Sequence, residues 1–402
     1  MSRSPSADAA FPTGVDFDWS TLRRVGVRGD NWCMTHAEDG HLYTMMDDGH
    51  GFEPTDDPQW NSRLFRITGG PDFDPADTAP CPGWPFHPAA GKGRGFYGYG
   101  TVAVGRRIYT WVWLSERPGY NRPIANRLVY TDDFGETFYR WDGVRLDEAT
   151  FADTDPSTFV FHREQPEPKA GRDAYAFIWI ACVQRGQANA ADDDGFVYLY
   201  AVEQRDVCRP SLIRVPADRL CNRDCYEYLA AVDAAGNAAW TADPAERGPA
   251  IVYPEADQHG NPWIWCSWHP SVVYNPGLGR YVMASYGISD PGADYWSGWC
   301  KPTSPYAATF GLWHAPNPWG PWTSFYLQPD WKTPDDVPPG LGFDGRASRT
   351  YQFKLNPKWT SADGRTMWLH WSDAGGEWDT RHGHHEHWYR WNQVKLEIET
   401  GE

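Results

Sequence analysis

Apolar and polar positions alternate along this chain in short runs broken by Gly, Asp, Asn and Pro, and sustained helical periodicity is almost absent. The runs come in pairs that read as hairpins. Trp32-Cys-Met-Thr35 and Leu42-Tyr-Thr-Met-Met46 flank a turn at His36–Gly40. The same arrangement recurs in Thr101–Gly105 with Ile108–Trp113, Ala176–Val183 with Phe196–Val202, Ser271–Tyr274 with Tyr281–Ser285, and Gln352–Leu355 with Thr366–Trp371. A further strand candidate follows each pair: Arg63–Thr68, Asn126–Tyr130, Ser211–Val215, Thr309–Trp313 and Trp388–Ile398. Repetition of a three- or four-strand unit at intervals of roughly 80 residues marks a radial array, in which each sheet buries its faces on its neighbours and ring closure removes exposed edges. The pattern predicts an all-β chain folded as a five-bladed β-propeller. The expected layout is a flexible segment over 1–20, then one domain over 21–400 with long insertions at 70–95, 145–172 and 220–262. The last strand, Tyr389–Ile398, is expected to complete a blade with N-terminal strand material. Thr131-Asp-Asp133-Phe-Gly135-Glu-Thr137-Phe138 fits the Asp-box hairpin, in which an Asp caps the loop, Gly takes a positive φ and the aromatic plugs the blade.

Composition narrows the function classes. The 402 residues carry 36 basic and 53 acidic side chains, a net charge of −17, which argues against a nucleic-acid partner. No apolar run reaches the ~18–20 residues of a membrane span. With 24 Trp, 21 Tyr and 18 Phe the chain has far too much to bury for a disordered one. Residues 1–10 show no apolar core of a signal peptide. The expectation is action outside the cell or at its surface, with the leader outside this sequence and a cytoplasmic site as the alternative. Eight cysteines are too few for a disulfide scaffold, although Cys208, Cys221 and Cys225 lie close enough in sequence for one bridge.

A propeller gathers distant residues at one place. The head of each innermost strand and the end of the next strand open on one funnel, whatever their separation along the chain. Heads supply Asp30, Asn31, Tyr99, Asp173, Trp268, His269 and Arg349. Second-strand ends supply Asp47, Asp48, His50, Glu116, Glu203, Asp290 and Asp373. Paired carboxylates in an aromatic-lined groove are the apparatus of glycoside hydrolysis, one protonating the leaving oxygen and the other activating water or attacking carbon. Asp47 and Asp48 are adjacent, and strand alternation sends neighbours to opposite sides, so Asp48 is expected to face the channel. Trp113 and Tyr97 are candidate platforms for sugar rings. His269 is as readily a buried hydrogen-bonded core residue as a substrate contact. Arg349 could hold a funnel carboxylate or a sugar hydroxyl, and Glu227 could contact substrate or anchor a long loop. The cluster His382, His384, His385 and His387 could bind a metal, although a solvated loop is the simpler reading, and Ala190–Gly195 reads as a solvated turn.

Several segments resemble a known family. Asp30-Asn-Trp-Cys-Met-Thr-His-Ala-Glu-Asp-Gly-His-Leu-Tyr-Thr-Met-Met-Asp-Asp-Gly49 is similar to the opening motif of propellers long catalogued as a domain of unknown function, which include the endo-D-arabinanases of glycoside hydrolase family 183. Arg214–Arg219, Tyr226–Leu229, Trp240–Asp243, Pro318–Trp322 and Lys358–Leu369 extend the likeness over about Asp30 to Leu396. The resemblance implies hydrolysis of furanosidic polysaccharide, most specifically endo cleavage of D-arabinan of the arabinogalactan and lipoarabinomannan type, with Asp30 and Asp48 as the acid/base pair. Read from the residues themselves, Asp47, Trp113, Asp173, Glu227, His269 and Arg349 are the candidate substrate contacts; the expected partner is a polysaccharide or oligosaccharide, and no cofactor is expected, with a channel cation left open. The alternatives are a non-catalytic carbohydrate-binding propeller and a glycosidase for another sugar, such as L-arabinan, a galactofuranoside or a sialoside.

Overall fold

The computed structural model describes residues 11–52, 59–85, 95–117, 120–162, 177, 179–191, 194–203, 206–263, 267–289, 308–329, 331, 349–374 and 390–401. The chain enters through β1 (Phe11–Val25), whose partner comes last. The first blade holds β2 (Arg28–His36), β3 (Leu42–Gly51), β4 (Trp60–Ile67) and β5 (Thr78–Pro80). In the second, β6 (Phe96–Val104), β7 (Arg107–Arg117) and β8 (Tyr120–Thr131) are joined by the short β9 (Tyr139–Arg140) and β10 (Phe161–His162). The third runs β11 (Trp179–Cys182), β12 (Phe196–Glu203), β13 (Asp206–Pro216), β14 (Glu227–Val232) and β15 (Ala238–Thr241). The fourth contains β16 (Ser271–Asn275), β17 (Arg280–Ile288), β18 (Ala308–Ala315) and β19 (Thr323–Gln328). In the fifth, β20 (Arg349–Leu355), β21 (Thr366–Ala374) and β22 (Trp391–Gly401) are completed on the outside by β1.

All five sheets are antiparallel meanders, and their innermost strands β2, β6, β11, β16 and β20 follow one another in a closed ring, with β20 returning to β2. The five expected hairpins are the inner pairs of these sheets, so the five-bladed propeller read from the sequence is the fold. The blades are held apart by aromatic bulk. Trp32, Trp111, Trp179, Trp268, Trp371 and Trp391 are among the largest fully buried side chains. Trp32 meets Trp391 edge-on at 5.5 Å, joining the first blade to the fifth.

Ring closure rests on the N-terminus. β1 pairs with β22 from Phe11 opposite Gly401 to Val25 opposite Trp391. Arg24 Nε donates to Asn392 Oδ1 at 2.8 Å, and Lys395 Nζ meets an Asp18 carboxylate oxygen at 2.8 Å. The strand begins inside the stretch expected to be a flexible lead-in. The reason is apolar: Phe17 packs edge-on against Phe310 and Tyr326 of the fourth blade, closing a seam that would otherwise face water. The Asp box after β8 takes the expected form, with Asp133 accepting from the Thr137 amide (2.9 Å) and the Thr137 hydroxyl (2.5 Å), Gly135 at φ 99° and Phe138 buried.

The six described cysteines are free thiols, so the bridge expected among Cys208, Cys221 and Cys225 is not made. Cys208 lies near the start of β13, where its thiol donates to the Pro254 carbonyl at 3.3 Å, whereas Cys221 and Cys225 follow the far end of that strand. Closeness in sequence is undone by an extended strand between them. Cys266 and Cys300 lie outside the described residues. No helix among the described residues is long and apolar enough to cross a membrane.

Candidate functional site

The heads of the inner strands share one local device. Asp30 pairs with Asp47 and Cys33 with Met45, leaving Asn31 and Trp32 opposite a single residue. The same two-against-one bulge places Tyr99 and Gly100 between the pairs Gly98–Val112 and Thr101–Thr110, and Gln352 and Phe353 between Tyr351–Ser372 and Lys354–His370. In the fourth blade the Trp268 amide donates to the Tyr286 carbonyl at 2.5 Å while Ser271 pairs with Ala284, so His269 and Pro270 are the extra residues. A bulge bends its strand and re-aims its side chains. Here it supplies equivalent polar side chains, Asn31, Tyr99, His269 and Gln352, one from each of four blades.

These groups bond to one another across the hub. Asn31 Nδ2 donates to the Gly98 carbonyl at 2.6 Å and Gln352 Nε2 to the Tyr99 hydroxyl at 3.1 Å. His269 meets the Tyr99 ring edge-on at 4.9 Å, and its Nδ1 lies 3.5 Å from Lys354 Nζ. Asn31, Trp268 and Gln352 all have positive φ, at 68°, 60° and 62°. Such strain persists only where surrounding structure holds it.

Three carboxylates stand on this frame. Asp30 and Asp47 are buried, at 7% and 4% exposure, and Asp48 is half-buried. Asp47 Oδ1 accepts from the Gly98 amide at 2.5 Å, and Asp48 Oδ1 accepts from Asn61 Nδ2 at 3.2 Å. Burial, then the charge of Asp30, then that of Asp48 hold the Asp47 carboxyl well above the ordinary range. Burial and the Asp30 charge do the same to Asp48, against the opposing pull of Arg28 and the Asn61 hydrogen bond. Asp48 sits at φ 48°, off the regular pleat of its strand, and both it and Asp47 are in electrostatic contact with Asp30.

The remaining candidates are distributed unevenly. His269 belongs to the hub, and burial followed by the Lys354 charge keeps it neutral by pushing its pKa well below the usual imidazole value. Trp113 is buried and stacks on Tyr97 with ring centroids 4.4 Å apart and planes 18° from parallel. That stack is near the carboxylates: Gly95 abuts both the Tyr97 ring and the Asn61 amide that holds Asp48. Glu227 is not brought to the hub. It lies on β14, in the outer part of the third blade, where Arg214 Nε donates to its Oε2 at 2.6 Å. That contact is a cross-strand ion pair between β13 and β14. Asp173, Asp290 and His382–His387 lie outside the described residues, as do the side chains of Arg349, Glu203, Glu116 and Asp373.

Sequence reasoning missed Lys354, Gln352 and Asn61. Lys354 is the buried cation that a carboxylate-rich hub needs, a part assigned from the sequence to Arg349. Aligning Asp30-Asn-Trp-Cys33, Gly98-Tyr-Gly-Thr101, Trp268-His-Pro-Ser271 and Tyr351-Gln-Phe-Lys354 would have placed it in one layer with Cys33, Thr101 and Ser271. Among the described residues no group of three or more His, Cys, Asp or Glu side chains is arranged to hold a metal ion. What the hub offers is acid/base chemistry: two carboxyls with raised proton affinity beside a third, a neutral imidazole and a buried ammonium.

No protein-family model matches the sequence, and no curated protein matches it. Solved structures do share the fold. A protein from Bacteroides ovatus ATCC 8483, named only as a presumed hydrolase, is 13% identical over 98% of this chain and 93% of its own, with a TM-score of 0.51. The catalytic domain of the Coprinopsis cinerea GH62 alpha-L-arabinofuranosidase follows at 11% identity, 96% of each chain and TM-score 0.46. The Penicillium chrysogenum alpha-L-arabinanase complexed with arabinobiose is 11% identical over 97% of this chain and 98% of its own, TM-score 0.42. At such identities the likeness is one of fold alone; the five-bladed β-propeller of this chain rests on its own sheet order and ring of inner strands, and the similar structures include some named as glycoside hydrolases.

Proposed function

We propose that this protein is a glycoside hydrolase acting on furanosidic polysaccharide, with Asp30 and Asp48 as its acid/base pair. The observation that carries the reading is the cluster of Asp30, Asp47 and Asp48 at the hub, with the last two carboxyls held above their ordinary range. A carboxyl that keeps its proton near neutral pH can deliver it to a departing glycosidic oxygen, and an ionised partner can activate water or attack the anomeric carbon. Asp47, tied to the Gly98 amide, has its own proton affinity raised by burial and by the charges of Asp30 and Asp48, which makes it a second protonated carboxyl beside the pair. His269, Tyr99 and Gln352 supply hydrogen-bonding groups beside the reacting carboxyls.

The substrate is proposed at a finer level on the likeness of Asp30–Gly49 to the endo-D-arabinanase motif: D-arabinan, cut internally, by an enzyme working outside the cell or at its surface. The test is a product profile. Arabinogalactan and lipoarabinomannan are incubated with the protein alongside L-arabinan, a galactofuranoside polymer and a sialoside, and the products are separated by chromatography. A ladder of oligosaccharides from the first two supports the reading. Release from another polymer alone moves the substrate, and calorimetric binding with no product over days would replace the hydrolase with a carbohydrate-binding propeller.

A further inference from the structure

One bulge on from Asp30 along the first inner strand, the hub holds a cavity of about 20 Å³, walled by all five inner strands or their approaches through residues that include Cys33, Thr101, Cys182, His269, Ser271 and Lys354. That is room for about one water molecule. Among the described residues Lys354 is the one cation on its wall, and its side chain is buried at 4% exposure. An ammonium has three donors. Among the described residues its sole hydrogen-bond partner is His269 Nδ1, at 3.5 Å, and it closes no ion pair. A buried lysine held this loosely adds little to the fold as a contact, because removing its charge from water is costly and no close carboxylate offsets it. Its charge is nevertheless felt. Burial pulls the Lys354 ammonium below its ordinary value, and Cys33, Asp30 and Asp47 work against that pull. The other cation at the site, Arg28, acts on Asp48.

We propose that Lys354 is the positioning residue of this site: on the wall of the hub cavity with Cys33 and His269, its ammonium decides which of the first-blade carboxylates holds the proton. The groups around it are Asp30, Asp47 and Cys33 from the first blade, Tyr99 through His269 from the second, Cys182 across the cavity from the third, His269 from the fourth, and His370, its partner across β20 and β21 in the fifth, kept neutral by burial. With His269 neutral and the thiols protonated, Lys354 is the positive charge among the described groups around the cavity, so it favours ionisation of Asp30 and Asp47. Arg28 opposes the raised proton affinity of Asp48. The two cations thus divide three acids into distinguishable roles. The inference rests on reading Asp30 and Asp48 as acid and base, but its core is a statement about protonation and needs no substrate.

The experiment is a carboxyl titration by NMR on protein labelled with ¹³C at aspartate Cγ, the hub resonances being assigned with Asp30→Asn, Asp47→Asn and Asp48→Asn. In folded Lys354→Met, the midpoint of Asp30 or Asp47 should rise by about one pH unit or more, as expected on losing a nearby opposite charge. Lys354→Arg should restore it. On the substrate that the wild type cuts, the acid limb of the kcat/KM profile should move up with that midpoint. Unmoved midpoints overturn the proposal. If Lys354→Met does not fold, the reciprocal measurement serves: in Asp30→Asn and Asp47→Asn the midpoint of Lys354, followed at ¹³Cε, should fall, and an unchanged value overturns the proposal equally. Absence of glycan cleavage with shifted midpoints would remove the hydrolase reading and leave the electrostatic one intact.

Discussion

Asp48 holds its carboxyl in place with a backbone at φ 48°, a conformation that costs a non-glycine residue about 1–3 kcal/mol. Glycine there would relieve the strain and delete the acid together. Asp48→Gly is therefore expected to keep or raise the melting temperature while removing activity, and a lowered melting temperature would show that the carboxyl supports the fold. Asp47 gives a pH-dependent case. Its folded pKa lies above the unfolded value of about 3.9, so its contribution to stability is fully present below that pH and is lost as pH rises through the folded value. Asp47→Asn keeps an oxygen for the Gly98 amide but loses the charge. Its gain in melting temperature should be larger at pH 8 than at pH 4, and an equal gain at both would refute the raised pKa. Buried histidines act in the opposite sense. His370, bonded through Nε2 to Asn356 Nδ2 at 3.1 Å, and His269 both have pKa values depressed by burial, so each costs stability as pH falls below about 6.5. The pH slope of wild-type stability between 7 and 5 should flatten in His370→Gln.

At the scale of single elements, the hub depends on close backbone approach at the bulges. Gly100 lies in the second-blade bulge against the Ile180 carbonyl of β11, and a Cβ there would run into that carbonyl. Gly100→Ala should destabilise the protein by about 1–3 kcal/mol, as overpacking does, measured by denaturant unfolding. The strands themselves were legible from the alternation of Trp32–Met46 and its four counterparts, because half-buried sheets enforce a period of two. The bulges were not, because a residue opposite no partner leaves no mark in that period. The silence over Lys354 and Gln352 has this cause. Glu227 differs. Its neighbours Tyr226 and Tyr228 are buried, so alternation already turns Glu227 outward toward Arg214. The family motif around it, rather than its place in the strand, suggested a site.

For the molecule as a whole, the propeller is a ring, and rings fail at the seam. β1 is the outermost strand of the fifth blade and also covers the fourth through Phe17, which meets Phe310, Tyr326 and Trp331. Removing residues 1–25 should abolish the cooperative thermal transition, read by calorimetry, whereas a transition close to that of the full chain would show that the ring closes without β1. Repetition made the architecture readable, since five similar hairpins admit few arrangements. The tryptophan excess was less informative about function than it suggests, because Trp32, Trp111, Trp268 and Trp371 fill the interior instead of lining a groove. The site was half legible: Asp30 and Asp48 follow from strand heads and ends, whereas their partners arrive from other blades through contacts that local pattern does not encode. The claim on which all of this converges is that these two acids do chemistry. It is tested most directly by turnover of Asp30→Asn and Asp48→Asn on the arabinan that the wild type cleaves, with melting temperatures measured alongside. The account predicts that each loses about 10²–10⁴-fold in kcat while remaining folded. Wild-type turnover in either folded variant would contradict it.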